Sequence, residues 1–65
     1  MNLTVNDEQV EVEDGISVSA LLERLDFPVR GVAVAVNSAV LPRSQWHSEL
    51  PAGAQVEVVT AVQGG

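Results

Sequence analysis

The chain closes on Thr60-Ala61-Val62-Gln63-Gly64-Gly65, and this end carries the most distinctive chemistry that its residue types offer. Glycine has no Cβ, so a Gly-Gly arm can enter a narrow channel, take up φ values that other residues resist and let another backbone approach its carbonyl. The terminal carboxylate would be the reactive group. With a reference pKa of about 3.3–3.7 it is ionised at neutral pH and is a poor electrophile, so it needs activation, typically as an acyl-adenylate made from ATP. Once adenylated, a glycine carbonyl is almost unhindered to nucleophiles. Small residues also collect at frayed chain ends, so the two glycines alone do not choose between a reactive arm and a loose terminus.

The rest of the chain is poor in reactive groups. There is no cysteine and no lysine, which excludes a thiolate nucleophile, a disulfide, a zinc ribbon and Schiff-base chemistry. His47 is the single histidine, beside Trp46 and without a second ligand at metal spacing, so it reads as solvent-facing and not as a metal ligand. Glu8, Glu11, Glu13 and Asp14 match no calcium-loop spacing, and alternation points Glu11 and Glu13 to one solvated strand face. The serines form no credible triad. With 65 residues the chain is also too small for a deep pocket, which disfavours a stand-alone enzyme. A net charge of −6 repels nucleic-acid backbones and anionic lipid. No membrane span or secretory leader is visible, and the cytoplasm is the expected location.

The elements that must carry the arm follow from periodicity. Leu3 and Val5 alternate with Thr4, a turn falls at Asn6-Asp7-Glu8, and Val10 and Val12 alternate with Gln9, Glu11 and Glu13, which predicts a hairpin. Ser17 is an N-cap for a helix of about two turns starting near Val18, whose Val18, Leu21, Leu22 and Leu25 form one apolar stripe. Asp26-Phe27-Pro28 is expected to stop it, since proline biases the preceding residue away from the helix and lacks an N–H, with Phe27 plugging the corner. Gly31–Asn37 is an apolar, β-branched strand, Asn37-Ser38 a turn, Ala39–Leu41 a short extended piece, and Pro42 the first position of a brief helical turn holding Trp46. Trp46 is expected to pack under that turn, and Arg43 to serve structurally. Pro51-Ala52-Gly53 turns into a last strand, Gln55–Thr60, with Val56 and Val58 opposed to Gln55 and Glu57. The order is that of an α+β fold: a mixed sheet of about four to five strands packed on one helix, in the ubiquitin-like β-grasp arrangement with the last strand parallel to the first at the sheet centre. Residues 1–60 form one domain and 61–65 a flexible tail.

At this point the chain resembles a known family. The segment Ala35–Trp46, with Val36-Asn37, then Val40-Leu41-Pro42-Arg43, then Trp46, is similar to the Val-Asn, Val-Pro-Arg and Trp pattern of ThiS, the bacterial sulfur-carrier family of thiamine biosynthesis, with Leu41 intervening between Val40 and Pro42. Asn6-Asp7, Leu21-Leu22 and Gly64-Gly65 agree as well, and the likeness covers essentially the whole length. The resemblance implies a carrier in which Gly65 is the attachment site and Gly64 its spacer. An E1-like adenylyltransferase would activate the carboxylate with ATP and magnesium, a persulfide donor would convert it to a thiocarboxylate, and thiazole synthase would receive the sulfur. No cofactor is expected on the chain itself.

Two alternatives stand beside this: the small-subunit sulfur carrier of molybdopterin synthase, and a β-grasp binding module whose glycines do nothing. For docking, Val58, Val62 and Gln63 beside the tail are the candidates, although alternation equally allows Val58 to be core and leaves only Val62 exposed.

Overall fold

The computed structural model describes residues 1–28 and 30–60. Five strands and one helix follow in the order β1 (Asn2–Val5), β2 (Glu8–Glu11), α1 (Val18–Arg24), β3 (Val32–Val36), β4 (Ala39–Leu41) and β5 (Gln55–Thr60), with a 3₁₀ turn at Arg43–Gln45. They form one mixed sheet in the order β2-β1-β5-β3-β4. β1 and β5 run parallel at its centre, and each is flanked by an antiparallel neighbour. This is the β-grasp arrangement.

Both hairpins turn on two residues with positive φ: Asn6 at 49° and Asp7 at 68°, Asn37 at 50° and Ser38 at 72°. Such primed turns match the right-handed twist of the strands they join, and asparagine tolerates the left-handed region better than most residues. The pairs Val5↔Glu8 and Val36↔Ala39 close the ladders directly on these turns.

The helix starts as its sequence dictates, with the Ser17 hydroxyl accepting from the Ala20 N–H at 3.2 Å. It ends where expected, at Asp26-Phe27-Pro28, but by hydrogen bonds and not by the proline. The Asp26 N–H donates to the Glu23 carbonyl at 3.2 Å and the Phe27 N–H to the Leu22 carbonyl at 2.9 Å, while Asp26 sits at φ 61°. These two bonds form a Schellman motif, which satisfies the last carbonyls before Pro28 is reached. Proline is therefore not the terminator. Pro42 is likewise the residue before the 3₁₀ turn and not its first position, accepting from the Gln45 N–H at 2.8 Å.

One core lies between α1 and the sheet. Leu3, Val18, Leu21, Leu22, Val34 and Val56 are its most enclosed side chains, joined by Val5, Val12, Ile16, Trp46, Leu50, Ala54 and Val58. Phe27 and Leu25 pack against it from the corner that follows the helix. Every core member is apolar, with no buried polar or charged residue among those described, so burial of apolar area is what holds this domain together.

Candidate functional site

Four of the five residues expected to carry function, Val62, Gln63, Gly64 and Gly65, lie outside the described residues, as does the expected 61–65 tail as a whole. What is described is the strand that leads into them. β5 is held on one side by β3 through Val32↔Thr60, Ala33↔Val59, Val34↔Val58, Ala35↔Glu57 and Val36↔Val56. On the other side β1 reaches only Thr4↔Gln55 and Val5↔Val56 before its turn begins.

The side chain of Asn6 takes over where β1 ends. Its carboxamide accepts from the Val58 N–H at 2.8 Å and donates to the Val58 carbonyl at 3.2 Å, while its own backbone N–H donates to the Val56 carbonyl at 3.0 Å. Asn37 does the corresponding work at the start of β5, accepting from the Gln55 N–H at 2.9 Å and donating its backbone N–H to the Gln55 carbonyl at 2.7 Å. Sequence reasoning placed both asparagines in turns and missed both clamps. The contact between Asn6 and Val58 spans 52 positions of the chain, so no local pattern could announce it.

The docking expectation for Val58 is corrected. Val58 is 6% exposed and faces the helix with its cross-strand partner Val34, because α1 covers the parity of β5 that holds Val56 and Val58. The following residue, Val59, is 62% exposed on the open face of the sheet. It pairs there with Ala33, and one row away Ala35 pairs with Val40, which is 78% exposed. Glu57, Gln55, Gln9 and Glu11 occupy the rest of that face. An apolar strip thus sits at the root of the tail, bordered by acidic and amide side chains.

The Asn37 to Trp46 segment is scaffold in this structure. Trp46 is buried, its Nε1–H donates to the Leu41 carbonyl at 3.1 Å, and its own carbonyl accepts from the Ser19 N–H at 3.0 Å near the start of α1. The Arg43 guanidinium lies over the indole at 4.8 Å from the ring centroid, a cation–π contact. His47 is exposed beside them, and the depression of about 290 Å³ that it lines with Ser19, Leu22, Glu23, Arg43 and Trp46 is open to solvent.

The acidic residues separate. Glu8 and Glu11 stay on β2, whereas Glu13 and Asp14 lie beyond it. Glu13 pairs with Arg24 of the helix, and Asp14 meets the Met1 ammonium at 3.2 Å. Glu11 and Glu13 are both exposed on either side of buried Val12, as alternation predicts, but the strand ends at Glu11, and Glu13 lies beyond it where it pairs with the helix. Among the described residues no three of His, Cys, Asp and Glu gather closely enough to hold a metal ion. No helix there is long and apolar enough to cross a membrane.

The model of the ThiS family matches residues 1–65. The sulfur carrier protein ThiS of Escherichia coli (strain K12) is 33% identical over 66 aligned positions covering all of both chains. An uncharacterized protein ycf40 of Pyropia yezoensis is 36% identical, with all of this chain and 93% of that one aligned. Among solved structures, the crystal structure of the thiamine biosynthesis protein ThiS from Geobacter metallireducens superposes with a TM-score of 0.82 at 32% identity, covering all of both chains.

Proposed function

The chain belongs to the ThiS family, and from that premise we propose that it is a sulfur carrier of thiamine biosynthesis whose working group is the carboxylate of Gly65. The observation that carries this reading is a family match across residues 1–65 in a sequence that ends Gly64-Gly65 beyond the central strand of the fold.

In this reading the chain is a substrate of other enzymes. A carboxylate oxygen of Gly65 attacks the α-phosphorus of ATP on an E1-like adenylyltransferase, with magnesium held by that partner, and pyrophosphate leaves. The terminal sulfur of a persulfide then attacks the acyl carbon and AMP leaves. A second thiol breaks the S–S bond of the resulting acyl disulfide, which frees the thiocarboxylate on Gly65. That sulfur passes to thiazole synthase in the cytoplasm. Holding sulfur as a covalent group on a docked protein replaces collision with free sulfide by delivery at high effective concentration. Gly64, without a Cβ, lets the arm pass through a narrow channel.

The adenylating partner is assigned to the open sheet face at Val59, Ala33 and Val40. A protein that encloses the residues after Thr60 must also cover Val59, which immediately precedes it. Val62 and Gln63 would be contacted within the channel. The acidic border of the strip favours a basic rim on the partner, and such complementarity raises the association rate more than the affinity. The ThiS-family match supports thiazole synthase, and not molybdopterin synthase, as the acceptor.

Intact-mass spectrometry tests the reading. Incubation with the adenylyltransferase, MgATP and sulfide is expected to exchange one oxygen of the chain for sulfur, with the new mass confined to a C-terminal fragment. An unchanged mass overturns it.

A further inference from the structure

We propose that Asn6 is a positioning residue for the C-terminal arm: by gripping Val58 it holds the β1 flank of β5 past the point where β1 itself ends. The proposal rests on the reading that the arm carries the reacting group, and adds to it a residue far from the arm in sequence.

Three observations combine. First, β1 supplies only two ladder positions to β5, Thr4↔Gln55 and Val5↔Val56, so without help the β1 side of β5 would be unpaired from residue 57 onward. Second, the Asn6 carboxamide offers one acceptor and one donor to Val58, at 2.8 and 3.2 Å, as a further strand residue would. Val58 is buried and the two bonds are partly buried, so losing them weakens the hold on this part of β5. Third, Asn6 can do this because it sits at φ 49° as the first residue of the turn, which directs its short side chain along the line that β1 has just left. Among the described residues, Thr60 pairs with Val32. Val59 and Thr60, the last described residues, thus follow a position anchored on both flanks at Val58, and under the proposal the placement of the arm is referred to that anchor. Misplacement of a reacting group by about an ångström can cost on the order of a hundredfold in rate.

Asn37 provides an internal control. It has the same residue type, nearly the same φ and a clamp on the same strand, but at Gln55, the end away from the arm. Glycine accepts positive φ without strain, so Asn6→Gly and Asn37→Gly each remove a carboxamide and keep the turn. Initial rates of thiocarboxylate formation would be measured against carrier concentration with the adenylyltransferase, MgATP and sodium sulfide, alongside amide hydrogen exchange. For Asn6→Gly the expected result is faster exchange at Val58, a kcat lower by about tenfold and an unchanged KM, because the open sheet face is intact. Asn37→Gly should keep the parent kcat. Asn6→Asp retains the acceptor for the Val58 N–H and should recover part of the loss; if Asn6→Gly does not fold, the kcat of Asn6→Asp against that of Asn37→Gly decides. An Asn6→Gly protein with parent kcat, unchanged Val58 exchange, or equal losses in both glycine variants overturns the proposal. Failure of the parent chain to gain sulfur at all removes instead the functional reading beneath it.

Discussion

The Asn6 carboxamide exchanges two hydrogen bonds with the backbone of Val58, 2.8 Å from its N–H and 3.2 Å to its carbonyl, and so lengthens a parallel ladder that β1 itself leaves at Val5. Asn37 binds Gln55 at the other end of the same strand. The first residue of each hairpin turn is thereby tied to β5, and the central strand is fastened from both neighbours.

Stability should register this in a defined order. The two bonds from Asn6 to the partly buried Val58 backbone are worth about 0.5–1.5 kcal/mol each, so Asn6→Gly is expected to lower the unfolding free energy by about 1–3 kcal/mol in urea. Asn6→Ala should fall roughly 1 kcal/mol further, since alanine also resists the left-handed backbone at φ 49°. Equal midpoints for the two variants would contradict the role of the turn.

Leu21 is fully enclosed on the inner face of α1. Leu21→Ala is expected to cost about 2–5 kcal/mol, comparable with the roughly 3–5 kcal/mol net that a core of this size supplies. Circular dichroism at 25 °C should show a largely unfolded chain, with Trp46 emission shifted to the red as the indole meets water.

A change in the opposite direction is expected at the end of the helix. Asp26 closes the Schellman motif at φ 61°, where glycine has no steric penalty. Relief of the left-handed backbone, about 1–2 kcal/mol, exceeds the roughly 0.4–1 kcal/mol that glycine's extra freedom in the unfolded chain takes back, so Asp26→Gly should raise stability by about 0.5–1 kcal/mol, visible as a higher urea midpoint with an unchanged m-value.

Neighbouring valines of β5 should respond in opposite ways. Val59→Asp lies on the open face and is expected to change stability by no more than about 0.5 kcal/mol, while raising the KM for the carrier in the adenylation assay. Val58→Asp would bury a charge against Val34 and should fail to fold. Parent-like KM for Val59→Asp would remove the assigned docking strip.

Addition of one residue after Gly65 should abolish sulfur acceptance and leave the thermal midpoint unchanged, because the reacting carboxylate moves off Gly65 while the described domain is untouched. Thiocarboxylate formation at the parent rate would show that Gly65 is not the attachment site.

How far the sequence could be read depended on the range of the interaction. The Ser17 cap, the stripe of Val18, Leu21 and Leu22, the alternation in β1 and β5 and both turns are set by neighbours within a few positions, and each stands in the structure where its pattern places it. The end of the helix falls at Asp26-Phe27-Pro28 as its pattern places it, but its cause differs: Pro28 is conspicuous, yet hydrogen bonds made by Asp26 and Phe27 have already completed the helix.

By itself, the sequence determined the elements and their order, because hydrophobic period, capping and turn residues act locally. Tertiary structure alone decided which face of β5 the helix covers, and so made Val58 core and Val59 surface. It also brought Asn6 across 52 positions to Val58 and turned Glu13 to Arg24. Alternation fixes that two neighbours point apart; only the packing of the helix on one side of the sheet settles which of them meets water.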